Sequence, residues 1–389
     1  MRKILSLCIA IALVMVLSLN AFAFEPIKAE PTDALYIRTR SVPQSATDYA
    51  ISVFSSLSIE NFEALGIKCS SHMKLSPGFC MVNSYNGNFI DNVYYYLISN
   101  ENACVASLLI SYNNGEYGFQ VSKTDYASGI NKVARNDSYV IAMSCNDYAC
   151  YSVTLNSKTI ISTYKELQSS LQSELNAVAL TTAVLKNNTV SVNIADTICE
   201  NSYFTPGDYH YYIGVINCPD NNGTCWAAAA ASIVNYYING ANGTQYTAMA
   251  IRDQIMQGNH AKGTINDIRD LLTVTLPKQY TVYHSQLPFI IMQTIMYNNS
   301  PCAISFSEIN GHIGHAAVLD GFCNLSNSPH DLQYQGYYIL DPAESGEGRV
   351  LIGYNSFYYT SYLCIENGQP YHPEYVWSET CVESSLLPY

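Results

Sequence analysis

The sequence predicts an α+β protein in two folded regions, on three observations. In the first half, two stretches of helical apolar spacing bracket a series of short strand-like runs. In the second half helix signals come first and strand signals follow, which is the order of helices laid on an antiparallel sheet. Between the halves, residues 187–209 are polar and carry Pro206-Gly207, the signature of a connector. With 389 residues, 48% hydrophobic and 33 tyrosines among them, the chain can fill two cores and does not have a disordered composition.

Taken in order, residues 1–23 read as a secretory signal peptide. Arg2-Lys3 is a short positive start, 4–19 is apolar, and Ala21-Phe22-Ala23 is a small-x-small cleavage site. An uncleaved anchor is the alternative, and the Ala-x-Ala end favours cleavage. No later run is apolar and long enough to span a bilayer, so the exported chain is expected to make no stable membrane association. A net charge of −13 argues against nucleic acid or an anionic membrane surface as the main partner. Of the thirteen cysteines, Cys8 falls in the leader. In an exported protein some of the rest can pair, in a connectivity the sequence does not give. No CxxC pair and no Cys/His zinc spacing occurs, so neither metal nor other cofactor is expected.

The first folded region, 24–205, opens with a polar, Pro-containing tether over 24–45. Helical spacing over 46–64 follows, then strands over 93–99, 103–112, 117–122, 139–145 and 151–157, with the turn NNGE at 113–116. Helical spacing returns over 163–184, and the connector completes the region. Its one histidine, His72, has no catalytic company. The second region, 206–389, predicts helices over 225–237, 247–257 and 264–274. Strands follow over 302–307, 315–322, 336–341, 349–354, 359–364 and 374–382.

The chemistry concentrates in the second region. Gly223-Thr224 precedes CWAAAAASIVNYY, with Thr224 or Asn222 as candidate cap. The alanines combine high helix propensity with minimal bulk, so this helix can sit deep against its neighbours. Cys225 then occupies the first turn, where unpaired N–H groups and the helix dipole favour thiolate. A nucleophilic thiolate needs a base and a group to orient it. His315, with His312 nearby, opens the strand-like GHAAVLDGF; Asp341 ends the apolar GYYILDP just before Pro342. An aspartate there can accept from the imidazole and fix its tautomer. Each residue alone has an ordinary structural explanation: half a disulfide, a core histidine, a turn former. Three in this order, each at an element boundary, point to nucleophilic catalysis.

These motifs, CWAAAAASIVNYY, GHAAVLDGF and YYILDP, resemble those of secreted papain-like cysteine peptidases, with bacteriocin-processing-peptidase-like proteins and staphopain-like enzymes of Gram-positive bacteria as the nearest groups. The resemblance covers roughly 211–389. It implies a papain-like cysteine peptidase domain, helices packed on an antiparallel sheet, with Cys225, His315 and Asp341 as catalytic triad. It implies an extracellular zymogen acting on protein or peptide substrates, whose first region is an α+β pro-region serving as intramolecular inhibitor or folding aid. The family's oxyanion glutamine, six residues before the cysteine, is replaced by Pro219, which offers no donor. Asn217 and Asn221 are the candidate replacements. Two alternatives stand beside peptidase activity. One is other cysteine-dependent acyl chemistry, transglutaminase-like or on cell-wall amides; the other is an inactive binding module in which Cys225 pairs with Cys218.

Overall fold

The computed structural model describes residues 35–69, 72–83, 87–100, 103–123, 125–133, 138–144, 149–153, 158–163, 189–201, 209–210, 224–239, 246–256, 263–308, 314–325, 335–342, 349–354, 356, 358–359, 364–366, 369–371 and 374–387. The signal peptide, the predicted helix over 163–184 beyond Thr163, which ends a strand, His312, Pro219 and the oxyanion candidates Asn217 and Asn221 lie outside the described residues.

The N-terminal region begins with a strand inside the expected tether, β1 (Tyr36–Thr39). The helix predicted over 46–64 is two helices, α1 (Gln44–Ser56) and α2 (Ile59–Ala64). The break is chemical: Ser58 Oγ accepts from the Asn61 backbone N–H at 3.2 Å, and the Ser58 N–H donates to Asn61 Oδ1 at 2.6 Å. This reciprocal capping box starts a new helix where spacing alone continues the old one. Short strands β2 (Met73–Leu75) and β3 (Val82–Asn83) lead to β4 (Val93–Asn100), β5 (Ala103–Asn113) and β6 (Glu116–Ser122). The β5–β6 connection is Asn114-Gly115, both with positive φ (51° and 91°), the two-residue turn whose twist matches that of antiparallel strands. After α3 (Asp125–Ile130) come β7 (Ser138–Ser144), β8 (Ala149–Val153) and β9 (Lys158–Thr163). The expected connector also holds strands. Its β10 (Val190–Asn193) pairs with β1, and β11 (Cys199–Asn201) pairs with β2, so 190–201 is woven into the N-terminal region.

The C-terminal region starts with β12 (Tyr209–His210) and then three helices, α4 (Cys225–Asn239), α5 (Ala248–Met256) and α6 (Ile265–Thr275). Elements not anticipated from sequence include β12 and the following pair, β13 (Tyr280–Tyr283) and α7 (Phe289–Tyr297). The strands are β14 (Cys302–Glu308), β15 (Gly314–Asn324), β16 (Gln335–Leu340), β17 (Arg349–Gly353), β18 (Tyr358–Tyr359), β19 (Cys364–Glu366), β20 (Gln369–Tyr371) and β21 (Glu374–Glu383).

Among the described residues, one sheet runs through both regions in the order β11-β2-β4-β5-β6-β17-β16-β15-β14-β21-β13. The junction is antiparallel pairing of β6 with β17, Val121 opposite Leu351. A second sheet, β10-β1-β7-β8-β9, belongs to the N-terminal region alone. Strands β16 and β17 are buried on both faces, which explains their apolar runs YYIL and VLI. Tyr337, Ile339 and Ile352 face a core made with α4, α6 and α7. Tyr338 and Leu351 face a different core built from Phe54 and Phe62 of the N-terminal helices and Leu108 and Val121 of its strands. Polar contacts fix that second face. Asn61 Nδ2 donates to the Tyr338 hydroxyl at 2.5 Å. Buried Arg349 pairs with Asp320 and donates to the Ala64 carbonyl at 3.0 Å.

Candidate active site

α4 enters the core as its sequence requires. Ala227 to Ala231 are all fully buried, with Ile233 and Val234 beyond them. A run with no side chain past Cβ lets the helix axis approach the sheet closely, and α4 packs on β15, α5 and α6. Cys225 is the first residue of this helix. Thr224 is buried just before it, but its hydroxyl makes no capping bond. Trp226 is 2% exposed and packs as a core residue. It lies on Gly263, where a Cβ would stand 2.2 Å from the indole, so only glycine fits that contact.

β15 and β16 carry the other two candidates. His315 is the second residue of β15 and lies opposite Phe306 of β14. Leu340, the last residue of β16, lies opposite Val318. Asp341 follows Leu340 directly, which brings it beside Ala317, two residues along the same face from His315. The outcome is a contact of 2.8 Å between His315 Nε2 and Asp341 Oδ1, both buried. With Nε2 committed to the aspartate, Nδ1 is the nitrogen left for Cys225. The Tyr375 ring backs the imidazole, centroid to centroid 5.8 Å.

The electrostatics follow from this geometry. Burial pushes the Cys225 thiol up. The hydrogen bond and positive charge of His315, with the Ala316 backbone N–H, outweigh that and hold the thiol below its ordinary value. Burial pushes His315 down, but the charge and hydrogen bond of Asp341 and the bond to Cys225 carry it well above the usual imidazole range. Both shifts favour a thiolate beside an imidazolium. The thiol of Cys225 is free, as are those of Cys69, Cys80, Cys199, Cys302 and Cys381. Cys225 therefore takes part in no disulfide. Among the described residues no group of His, Cys, Asp and Glu is arranged to hold a metal ion.

Sequence reasoning thus named three residues that the structure brings together. His72 is exposed in the N-terminal region and has no part in the arrangement. Sequence reasoning missed Gly263 and Glu308; each depends on strand register or helix packing, which no local motif encodes.

Residues 211–360 match a family described as the papain-like cysteine protease AvrRpt2, and Cys225, His315 and Asp341 all fall inside the matched span. No curated protein matches the chain. Among solved structures, a putative C39-like peptidase from Bacillus anthracis is similar at 12% identity and a TM-score of 0.26, covering 38% of this chain and 98% of that one. That similarity is too slight to carry an argument. The family match, over the segment that holds the thiolate–imidazolium arrangement, supports a papain-like cysteine peptidase.

Proposed function

We propose that the protein is a secreted cysteine peptidase that hydrolyses peptide bonds through Cys225, His315 and Asp341. The observation that carries this reading is a free thiol at a helix N-terminus, hydrogen-bonded to a histidine whose Nε2 is held by a buried aspartate. The thiolate attacks the substrate carbonyl and the electron pair of the C=O moves to oxygen. The backbone N–H of Cys225 is one donor to that oxyanion, and Asn217 or Asn221 supplies the second in place of the absent glutamine. The tetrahedral adduct collapses to a thioester as the His315 imidazolium gives its proton to the leaving amine. His315, now neutral, takes a proton from water, whose oxygen attacks the thioester; the adduct collapses to the carboxylic acid and the Cys225 thiolate, with His315 again an imidazolium. Asp341 keeps the ring oriented and its charge balanced throughout.

The signal-peptide pattern supports export, and the three motifs support kinship with the bacteriocin-processing-peptidase-like and staphopain-like enzymes of Gram-positive bacteria. Residues 24–205 act as a folding scaffold for the peptidase region, a role favoured by the shared sheet and the shared core beneath Tyr338 and Leu351. Intramolecular inhibition is the other role that the resemblance implies for this region.

Cys225→Ala removes the nucleophile, and proteolysis is expected to fall by at least about 10⁴-fold. Wild-type protein is expected to be alkylated stoichiometrically at Cys225 by a thiol-directed inhibitor. A Cys225→Ala protein that cleaves peptides like wild type sinks the proposal.

A further inference from the structure

Glu308 is the last residue of β14 and only 4% exposed, yet among the described residues neither carboxylate oxygen has a hydrogen-bond partner. A carboxylate in that state is costly unless a cation meets it. The described cations of the C-terminal region are already engaged: Arg252 with Asp253, Arg269 with Asp270, Lys278 with Glu383 and Arg349 with Asp320.

The register shows where this acid stands. On β14, Phe306 is opposite both His315 of β15 and Trp377 of β21. Directly opposed residues share a face, and so do residues two apart on one strand. Glu308 is therefore on the His315 face, at the same end of the sheet. Its opposite residue on β21 is Tyr375, whose ring backs the imidazole. One strand position thus separates the acid from the Phe306–His315 pair.

We propose that Glu308 is a specificity-determining residue that receives a cationic substrate side chain, lysine or arginine, close to the scissile bond. The inference rests on the peptidase reading and extends it to a substrate class. A substrate ammonium or guanidinium supplies both the charge and the hydrogen-bond donors that the two oxygens lack. An apolar or acidic side chain leaves the carboxylate uncompensated, so the discrimination works partly by exclusion. The remaining surroundings of that face are aromatic, Phe306, Tyr375 and Trp377, which suit the methylene stem of a long basic side chain.

The test compares peptide sets that differ only in lysine, arginine, norleucine or glutamate at each position flanking the cleaved bond. Wild-type full-length protein is expected to favour lysine or arginine over norleucine at one position by at least about tenfold in kcat/KM, and Glu308→Gln to erase that ratio. No basic preference in wild type, or an unchanged ratio in Glu308→Gln, overturns the proposal. A second arm measures binding of the lysine and norleucine peptides to full-length Cys225→Ala, with and without Glu308→Gln. Loss of the lysine advantage only when Glu308 is changed supports the site, and equal affinities overturn it. If wild type shows no Cys225-dependent cleavage, the peptidase reading fails, while the binding arm still decides the role of Glu308.

Discussion

The two regions use one sheet for different ends. In the N-terminal region the described buried polar side chains are neutral, such as Ser58 and Asn61, whose capping box defines where a helix begins. In the C-terminal region the described buried polar side chains include charged groups, and the candidate site joins separate elements, Cys225 from a helix and His315 and Asp341 from neighbouring strands. Arg349–Asp320 stands between the two styles: a buried ion pair inside the C-terminal region whose guanidinium also reaches the Ala64 carbonyl of the N-terminal region. The contrast teaches that fold and chemistry can be carried by opposite ends and faces of one sheet. The N-terminal helices cover the Tyr338–Leu351 face, and α4 covers the face of Tyr337 and Ile339.

The largest effect that tests this division is expected at Asp341. Asp341→Asn keeps the shape but removes the charge that raises His315. The rate is expected to fall by about 10²–10⁴-fold. The pH profile gives the sign. The active ion pair exists above the lowered pKa of Cys225 and below the raised pKa of His315, so the wild-type profile is a bell. In Asp341→Asn the imidazolium loses its stabilising charge and gives up its proton at lower pH, so the alkaline limb moves down. An alkaline limb that stays in place means that Asp341 does not control His315.

Next in size is Arg349→Met. It leaves Asp320 buried and fully unexposed without its partner, which typically costs about 3–5 kcal/mol. Because the pair also ties down Ala64, denaturant unfolding followed by an N-terminal and a C-terminal probe is expected to shift by the same amount in both. If only the C-terminal probe shifts, the regions unfold independently and the scaffold role proposed for 24–205 loses its basis. Arg349→Met combined with Asp320→Leu is expected to recover much of the loss, since an apolar pair of similar volume carries no desolvation penalty.

Much of this was legible in the sequence, for reasons that differ by element. The α4 boundary was readable because Gly223-Thr224 and the alanine run are local signals; strands β14, β15, β16 and β17 were readable as apolar runs. Cys225, His315 and Asp341 were readable because each lies where an element starts or stops. The helix break at Ser58 was missed because the capping box S-x-x-N interrupts without disturbing the apolar spacing on either side. Helix α7, FIIMQTIMY, was missed because apolar residues surround it on nearly all sides and leave no clear stripe. The strands β10 and β11 were hidden in a polar stretch because their stability comes from the partner strands β1 and β2 rather than from their own composition. Glu308 was silent because its meaning comes from Phe306, His315 and Tyr375 across two strand pairings.

The smallest effect is expected at the other end of the molecule. Ser58→Ala deletes the acceptor for the Asn61 N–H while leaving Asn61 able to reach Tyr338. Loss of one N-cap typically costs about 1 kcal/mol. The substitution is about as far in kind from the thiol as any change in the protein, since it touches neither a charge nor the face that carries His315. If the shared sheet makes the two regions one cooperative unit, thermal loss of peptidase activity and thermal melting of the N-terminal region shift downward together, with kcat/KM at low temperature unchanged. If instead activity survives to the wild-type temperature while the N-terminal probe melts early, the junction of β6 with β17 transmits structure without stability. The N-terminal helices would then be a cover on the peptidase sheet rather than a part of its core.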